Sequence, residues 1–418
     1  MIKQLRVIVV GGGAAGFFGA IACAEASPNA QVTLLEAAPE PLGKVRISGG
    51  GRCNVTHHCF DPALLSQNYP RGGKALRGAF TRFQPQDTVA WYKRRGVRLK
   101  TEEDGRMFPT TDDSATIIDC LLREVRRTGV QLRTKAAVKS ITRTANGFTV
   151  TLRSQEVLTG DRLLLATGSS PQGHRMAASL GHTIEPPVPS LFTFNVPDKA
   201  LHALAGVAVE PVAMKLTVPG TKQSLTQTGP LLITHWGLSG PAILKLSAWG
   251  ARILHESAYQ GSLQVNWLPS HNQDYLRDQL QNARHAMPKR AIANYCPFDL
   301  PKRLWRYWVK QAGLTETITW SSLPKKALNS LVTTIHCGKF LVQGKGVFKD
   351  EFVTCGGVKL AEVDFPTLES RCCPGLFLAG EILNIDGVTG GFNFQSAWTT
   401  GWLAGQRLGQ NSSDRSSY

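Results

Sequence analysis

Residues 5–36 read LRVIVVGGGAAGFFGAIACAEASPNAQVTLLE and contain the pattern that decides the fold. The run over 5–10 is rich in Val and Ile, which is typical of a parallel strand buried on both faces. The alanine-rich stretch over 14–26 favours a helix, which ends before Pro28 because proline cannot continue it. A second strand is predicted over 31–35. This order of strand, glycine turn, helix and strand indicates a Rossmann unit.

The turn between the first strand and the helix has the Gly11-x-Gly13-x-x-Gly16 spacing of a dinucleotide-binding site. Gly11 permits a tight turn, Gly13 lets a pyrophosphate approach the backbone, and Gly16 allows the helix to pack closely. The helix N-terminus then offers free N–H groups to the phosphates. Glu36 follows the second strand, twenty residues past Gly16, where it can accept hydrogen bonds from ribose hydroxyls. Together these residues predict a bound dinucleotide.

Two later segments favour a flavin dinucleotide over a nicotinamide one. The apolar stretch over 161–166 predicts a strand that ends in a Thr-Gly turn, where the backbone can approach the dinucleotide. The stretch over 376–379 predicts another strand, followed by a glycine-rich loop and a helix over 396–409. Asp386 in that loop can hydrogen-bond ribityl hydroxyls, and the helix N-terminus can face the polar edge of the flavin. Ordinary strand ends and loops are the alternative interpretation.

The stretch GKVRISGGGRCNVT over 43–56 has the composition of a loop that lies against a flat cofactor. Three glycines leave its surface without side chains, Arg52 offers a planar fork of donors, and Asn54 offers both a donor and an acceptor. Cys53 lies between them and carries a thiol that can ionise. The His-His-Cys run over 57–59 could bind a metal together with Cys53, but no second half of a zinc motif is present, so no metal site is predicted.

Six motifs follow one another along the chain: GGGAAG at 11–16, ISGGGRCNVT at 47–56, ATGSSPQG at 166–173, THWGLSGPAILKLS at 234–247, FVTCGGV at 352–358 and AGEILNIDGVTGGFNFQ at 379–395. In this order they resemble a bacterial family of FAD-dependent oxidoreductases that includes aminoacetone oxidase, a bile-acid reductase and an rRNA dihydrouridine synthase. Asn384 stands where relatives often carry Asp, and Ser169 where another glycine is usual. The motifs specify the family but not the substrate.

The resemblance implies an α/β fold in three parts: a discontinuous Rossmann-type FAD-binding domain, a β-barrel-like domain inserted into it, and a small helical domain. The expected boundaries are 1–190 for the first part of the FAD-binding domain, 191–268 for the first part of the β-rich domain, 269–331 for a basic helical insertion, 332–350 for the second part of the β-rich domain, 351–410 for the second part of the FAD-binding domain and 411–418 for a flexible tail. The local sequence agrees, because β-like runs follow the prolines at 186–189.

The resemblance also implies FAD as the cofactor and NAD(P)H as the electron donor. The residues expected to bind FAD are Gly11, Gly13, Ala14, Ala15, Gly16, Glu36, Lys44, Gly50, Gly51, Arg52, Asn54, Thr167, Gly168, Gly380, Glu381, Asp386, Gly387, Gly391 and Asn393. A hydride would pass to an electron-poor C=C bond while a side chain protonates the neighbouring carbon. Cys53 and His235 are the candidate acids. Their alternative roles are a small loop filler and a structural histidine.

Basic residues outnumber acidic ones by 47 to 30, which gives a formal net charge of +17. The excess is clustered, with 17 Lys and Arg against 8 Asp and Glu over 71–143, and 7 against 1 over 284–310. Aromatic residues alternate with the bases in the second cluster, and such a surface could bind RNA phosphates and stack exposed bases. The alternative is that Trp305 and Trp308 belong to the core and that the bases form a solvated face.

Three functions are therefore open. Reduction of uracil in ribosomal RNA to dihydrouridine accounts for the basic clusters. Oxidation of a small amine such as aminoacetone by oxygen leaves the charge unexplained. A non-catalytic flavin-binding interaction protein is the third hypothesis, and the glycine-lined approach to the cofactor disfavours it.

The nine cysteines include no C-x-x-C pair, which indicates a reducing compartment rather than a disulfide framework. The N-terminal apolar run resembles a signal peptide, but the glycines at 11–13 interrupt it. No other apolar run approaches the roughly 20 residues that cross a bilayer. A cytoplasmic protein without a membrane partner is expected, and the sequence leaves its oligomeric state open.

Overall fold

A computed structural model describes residues 4–346 and 353–410. The chain divides into two compact units, of which unit one comprises 1–187 and 353–418 and unit two comprises 188–352. The predicted flexible tail at 411–418 and the predicted domain junction within 347–352 lie outside the described residues. The finer predicted boundaries within unit two remain predictions.

The strands are β1 Arg6–Val10, β2 Gln31–Leu35, β3 Thr56–His57, β4 Leu99–Thr101, β5 Arg106–Pro109, β6 Gln131–Arg133, β7 Val138–Thr144, β8 Gly147–Leu152, β9 Val157–Gly160, β10 Arg162–Leu165, β11 Ile184–Ser190, β12 Phe194–Asn195, β13 Ala208–Thr217, β14 Ser224–Thr234, β15 Gly237–Ser239, β16 Gln260–Asn266, β17 Gly338–Gln343, β18 Val353–Val358, β19 Val363–Asp364, β20 Glu369–Ser370 and β21 Leu376–Leu378. The helices are α1 Ala14–Ala26, α2 Gly43–Ile47, α3 Pro62–Ser66, α4 Gly73–Phe80, α5 Pro85–Arg94, α6 Ala115–Arg127, α7 Pro171–Ser179, α8 Lys199–His202, α9 Pro241–Trp249, α10 Ala251–Glu256, α11 Gln273–Ala286, α12 Lys302–Gln311, α13 Lys325–Cys337 and α14 Phe392–Gly409.

The central sheet of unit one has the strand order β19-β20-β21-β10-β1-β2-β6. Its five strands from β21 to β6 run parallel. Strand β1 lies between β10 and β2, with Val10 opposite both Leu165 and Leu35. The carboxyl ends of these strands therefore lie at one edge, with a topological switch point at β1, where open α/β sheets bind ligands. This sheet confirms the prediction of a Rossmann-type fold.

Helices α1 and α14 pack backbone to backbone beside this sheet. A Cβ at Gly401 would lie 2.5 Å from the carbonyl oxygen of Ala15, and a Cβ at Gly405 would lie 2.4 Å from that of Gly19. Because real Cβ contacts are longer than this, glycine is required at both positions of α14. The C-terminal helix begins at Phe392, four residues earlier than predicted.

Unit two is built on a six-stranded sheet with the order β12-β15-β14-β13-β16-β17. Neighbouring strands are antiparallel. Among the described residues, the outer strand β12 and the segment after β17 meet in a single isolated bridge between Phe194 and Lys345. The pairings described thus leave the sheet open and show no closed barrel.

The core of unit two joins its sheet to its helices. Buried side chains from the sheet, such as Leu263 and Val265, share one hydrophobic cluster with Trp305 and Trp308 of α12 and with Trp320. Trp305 and Trp308 are each 1% exposed. The core interpretation of these two tryptophans is therefore confirmed, and base stacking by them is wrong.

Within the described parts of both units, helices are too short or too polar to cross a bilayer.

Candidate cofactor site

The glycine turn after β1 leaves the start of α1 open. Gly11 has a φ of +112°, and a Cβ there would lie 2.3 Å from the carbonyl oxygen of Ala166. Gly13 is the N-cap of α1, and no side chain of the described residues caps this helix end. No described atom lies within 4 Å of the position that a Cβ would take at Gly13. The first N–H groups of α1, including those of Ala14 and Ala15, have no partner within the helix and no side-chain cap, which leaves them available to an anion.

Glu36 is fixed beneath this turn by backbone hydrogen bonds. Its Oε2 accepts from the N–H of Gly12 at 2.7 Å, and its Oε1 accepts from the N–H of Ala38 at 2.7 Å. These bonds hold the carboxylate at the carboxyl end of β2. A carboxylate at this position also has lone pairs left for hydroxyl donors of a ribose.

The second glycine-rich loop comprises α2 and the 3-10 turn Ser48–Gly51. No described atom lies within 4 Å of the Cβ positions at Gly50 and Gly51. Lys44 in α2 forms an ion pair with Glu381, with 2.5 Å between Nζ and Oε2. The Lys44 amine also lies 3.4 Å from the hydroxyl of Ser169. This pair joins the loop after β2 to the loop after β21.

Arg52 and Cys53, which follow this turn, have different surroundings. Arg52 donates to Glu102 at 2.7 Å and lies over the ring of Phe108, with 4.0 Å between Cζ and the ring centroid. Its hydrogen bond to Glu102 raises the pKa of the Arg52 guanidinium. Cys53 is 0% exposed, and burial raises the pKa of its thiol to about 12. The thiol is therefore protonated throughout the physiological pH range.

Two asparagines shape the glycine loop that precedes α14. Asn393 accepts from the N–H of Gly387 at 2.8 Å and donates to the carbonyl of Gly387 at 2.9 Å. The amide of Asn54, in the orientation that satisfies both of its neighbours, donates to the carbonyl of Thr56 at 3.0 Å and accepts from the N–H of Gly391 at 2.9 Å. The predicted loops over 43–56 and 380–393 thus contact each other directly.

Asp386 in the same loop is fully buried and pairs with Arg71. The Arg71 Nε donates to Oδ1 at 2.5 Å, and Nη2 donates to Oδ2. The sequence did not single out Arg71, because its partner lies 315 positions away and no local pattern marks it. The contact of Asp386 with a ribityl chain remains a prediction.

The end of β10 contributes Thr167 and Gly168. The Thr167 hydroxyl is buried and has no hydrogen-bond partner among the described residues. His174 on α7 was also missed by the sequence analysis. Its Nε2 is buried without a partner in the described part of the chain, and burial lowers the pKa of its imidazole, although Glu381 opposes this shift.

A buried network anchors α14 behind the loops. Gln395 accepts from the hydroxyls of Thr56 at 2.6 Å and Thr88 at 3.0 Å, and it donates to Thr399 at 3.1 Å. The Trp398 indole donates to the carbonyl of Val55 at 2.9 Å. Gln395 belongs to the motif over 379–395, but the sequence alone assigned it no role. Its burial assigns it to positioning the loop.

Unit one thus brings together the predicted FAD-binding residues from five separate segments. These segments are 11–16 after β1, Glu36 at the end of β2, 44–54, 167–168 after β10 and 380–393 after β21. His235 lies apart in sequence, in the hairpin between β14 and β15 of unit two, where it is exposed.

The residues present fit a dinucleotide with a flavin. The open Cβ positions at Gly13, Gly50 and Gly51 each leave room for a ligand to approach the backbone. The bare N-terminus of α1 suits a pyrophosphate, and the carboxylate of Glu36 suits a ribose. The unpartnered hydroxyl of Thr167 is a further polar group at the same edge of the sheet.

Known proteins are similar in sequence to this chain over nearly its whole length. The family model described as HI0933-like protein Rossmann domain matches residues 5–407. A 3-dehydro-bile acid delta(4,6)-reductase from Clostridium scindens is 29% identical, covering 96% of this chain and 98% of the relative. A ribosomal RNA dihydrouridine synthase from Escherichia coli is 31% identical, covering 97% of this chain and 98% of the relative.

The solved structure of a 3-ketosteroid-delta4-(5alpha)-dehydrogenase from Rhodococcus jostii RHA1 is similar in fold, with a TM-score of 0.50 at 14% identity and coverage of 98% of both chains. The family match and the two relatives agree with the motifs quoted from the sequence. The chain belongs to the HI0933-like Rossmann family of flavin-dependent oxidoreductases, which confirms the family resemblance and the prediction of an oxidoreductase.

Proposed function

We propose that this protein binds FAD at the carboxyl edge of the central sheet and uses NAD(P)H to reduce an electron-poor C=C bond, with uracil in ribosomal RNA as the substrate. The observation that carries the cofactor assignment is the convergence of five loop segments around the open start of α1. The names of the relatives support the reaction type, because a delta(4,6)-reductase and a dihydrouridine synthase both reduce C=C bonds.

Different predicted residues would bind different parts of the cofactor. Gly11, Gly13 and Gly16 with the start of α1 would hold the pyrophosphate, and Glu36 would hold the adenosine ribose. The bare loop at Gly50 and Gly51 would lie against the flat part of the cofactor. Remaining contacts are assigned to the other predicted residues: Lys44, Arg52, Asn54, Thr167, Gly168, Gly380, Glu381, Asp386, Gly387, Gly391 and Asn393.

When bound, FAD supplies a two-electron carrier that accepts a hydride and passes it on. The proposed reaction adds that hydride to one carbon of the uracil C5=C6 bond and a proton to the other. The proton must come from an acid of the chain or from water. Cys53 and His235 remain the predicted acids. The raised pKa of Cys53 keeps its thiol protonated but makes it a weak acid near neutral pH, which favours His235 or water as the proton source.

Around this site the chain's own residues mainly position groups. The Lys44–Glu381 ion pair fixes the loop after β2 against the loop after β21. The Arg71–Asp386 pair and the Asn54–Gly391 contact fix the glycine loop before α14. Loops held in this way lose little entropy when a ligand binds, which favours affinity.

The charge of unit two supports an RNA substrate over a small one. Residues 188–346 contain 17 Lys and Arg against 7 Asp and Glu. On α12, Lys302, Arg303, Arg306 and Lys310 are exposed, whereas the opposite side of the helix is buried in the core. An amphipathic helix with an all-basic outer side is suited to phosphate contacts that hold an RNA while a base is extruded.

The test is a reconstituted reaction. The purified protein should carry FAD, NADH or NADPH should bleach the flavin under anaerobic conditions, and added rRNA from cells lacking the gene should restore the absorbance. Mass spectrometry should then find dihydrouridine in that RNA. Absence of flavin that added FAD does not restore would reject the cofactor assignment.

The same assay separates the alternative substrates. Bleaching of the flavin by aminoacetone, with reoxidation by oxygen, would replace the proposal by an amine oxidase. If neither aminoacetone nor NAD(P)H bleaches the flavin, the chain is a flavin-binding interaction protein. Unchanged dihydrouridine in rRNA from cells lacking the gene would reject the RNA substrate.

A further inference from the structure

The outer face of the six-stranded sheet in unit two contains a polar groove that the proposed reaction does not use. A cavity of about 380 Å³ lies over β13, β14 and β16. Along β13, Met214 and Leu216 point into the core. Because side chains alternate along a strand, Ala213, Lys215 and Thr217 point to the outer face.

The strand register aligns polar side chains across this face. Lys215 lies opposite Thr226 of β14 on one side and opposite Gln264 of β16 on the other. Gln264 in turn lies opposite Lys339 of β17. Neighbouring strands are roughly 4.8 Å apart, so the two lysines stand about 10 Å apart in one row.

A second row beside it adds neutral hydrogen-bonding groups. Ala213 lies opposite Thr228 of β14 and Asn266 of β16. The Nδ2 of Asn266 is 3.4 Å from Nδ1 of His336, at the end of α13. The groove thus combines cations with hydroxyl, amide and imidazole groups.

Negative charge is missing from the paired stretches of strand that line the groove. None of the paired stretches over 213–217, 224–228, 260–266 and 338–343 contains Asp or Glu. Glu210, the acidic residue of β13, lies within the bulge between Val209 and Val212 and outside these paired stretches. Neither Lys215 nor Lys339 forms an ion pair with another described residue. A cationic face of this kind is complementary to a polyanion.

We propose that this face binds the phosphodiester backbone of single-stranded RNA. Lys215 and Lys339 contact phosphates, while Thr226, Thr228 and Asn266 contact ribose hydroxyls. No aromatic side chain points outward from the paired stretches. The surface therefore binds the RNA backbone and does not recognise individual bases. The inference rests on the proposed function, since RNA is the substrate there, and it adds a surface distinct from α12.

The test compares two double variants that each remove two lysines. Lys215→Ala/Lys339→Ala removes the pair on the sheet, and Lys139→Ala/Lys245→Ala removes the same charge from β7 of unit one and from α9 of unit two. Fluorescence anisotropy measures the Kd of a labelled, mixed-sequence single-stranded RNA over a range of salt concentrations. The sheet variant should raise the Kd about tenfold at low salt and reduce the slope of log K against log salt by about 1.4, because two phosphate contacts are lost.

Equal Kd values and salt slopes for the sheet variant and the control variant would overturn this inference while leaving the proposed function in place. Failure of the unmodified protein to bind the RNA at all would reject both the inference and the RNA substrate. The FAD content and the rate of flavin reduction by NAD(P)H should be unchanged in both variants, which confirms that unit one is intact.

Discussion

At the scale of single residues, burial decides what the groups near the cofactor loops can do. Cys53 looks reactive in the sequence because it stands between Arg52 and Asn54. The structure buries it completely, and burial raises the pKa of its thiol from 9.0 to about 12. The thiolate is the reactive form of cysteine. Cys53 therefore keeps its proton near neutral pH, where it is unsuited to act as a nucleophile, and its raised pKa also makes it a weak proton donor.

This environment predicts that Cys53 resists alkylation. At pH 8 a thiol with this pKa is ionised to about one part in ten thousand, against roughly one part in ten for an ordinary thiol. Treatment of the native protein with iodoacetamide followed by peptide mass spectrometry should label the exposed Cys372 and leave Cys53 unmodified. Equal labelling of both cysteines would show that Cys53 is accessible and ionised.

Residues that depend on a local pattern could be predicted from the sequence, and residues that depend on a distant partner could not. Glu36 is marked by its spacing from Gly16, and the structure holds it at the end of β2. Arg71 acquires its role only from Asp386, which the fold brings to it from 315 positions away. His174 gives no signal in the sequence, because its surroundings exist only in the folded unit.

At the scale of secondary structure elements, the contact between α1 and α14 sets the geometry of the site. Both helices begin at glycine loops that face the predicted cofactor, so their separation fixes the distance between these loops. The sequence predicted both helices, but it did not predict that they contact each other at Gly401 and Gly405. A pattern of small residues does not indicate which other helix packs against it.

Substitution of Gly401 by Ala should destabilise unit one. The new methyl group would lie 2.5 Å from the carbonyl oxygen of Ala15, which forces the helices apart and costs about 1–3 kcal/mol. Gly78→Ala in α4 is the matched control, because no described atom lies within 4 Å of its Cβ position. The control should stabilise the protein by about 0.5–1 kcal/mol through helix propensity. Urea unfolding measures both changes, and equal effects of the two substitutions would contradict the helix contact.

Helix α12 combines an apolar side that completes the core with a basic side that is exposed. Replacing Lys302, Arg303 and Arg306 with Glu should weaken RNA binding and reduce the slope of log K against log salt by at least about 2. Arg303 donates to the carbonyl of Ala203 at 2.6 Å, so a melting curve must verify that the variant is folded. Lys139→Glu on β7 of unit one serves as the charge control. If the triple substitution leaves the Kd for RNA and its salt dependence unchanged, α12 is not part of the RNA-binding surface.

At the scale of the whole molecule, unit one is assembled from two distant parts of the chain. Strand β21 and helix α14 come from the second part, and they complete a sheet whose other parallel strands lie within the first 187 residues. The sequence predicted this discontinuity from the family resemblance. The packing that joins the two parts could not be predicted from the order of the motifs. It depends on buried contacts such as the hydrogen bond between Gln395 and Thr56.

FAD should therefore protect stretches that are far apart in sequence. In hydrogen exchange measured by mass spectrometry, added FAD should slow exchange together over 11–16, 43–54 and 380–391. At a hundred times its Kd, the ligand stabilises the folded form by about 2.7 kcal/mol. The antiparallel strands β7, β8 and β9 contain none of the predicted binding residues and serve as the internal control. FAD should leave their hydrogen exchange at short times unchanged. Protection confined to one of the three stretches would contradict a shared site.

The late position of β21 and α14 also has a consequence for the order in which the chain is made. The ribosome releases the polypeptide from its N-terminus, and domains fold as units once their sequence has emerged. The strands of the six-stranded sheet in unit two all lie between residues 194 and 343, so they are available while the glycine loop before α14 is still unmade. We therefore expect a growing chain to gain the inserted sheet before it gains the ability to retain FAD, and flavin loading to be among the last events in its biogenesis.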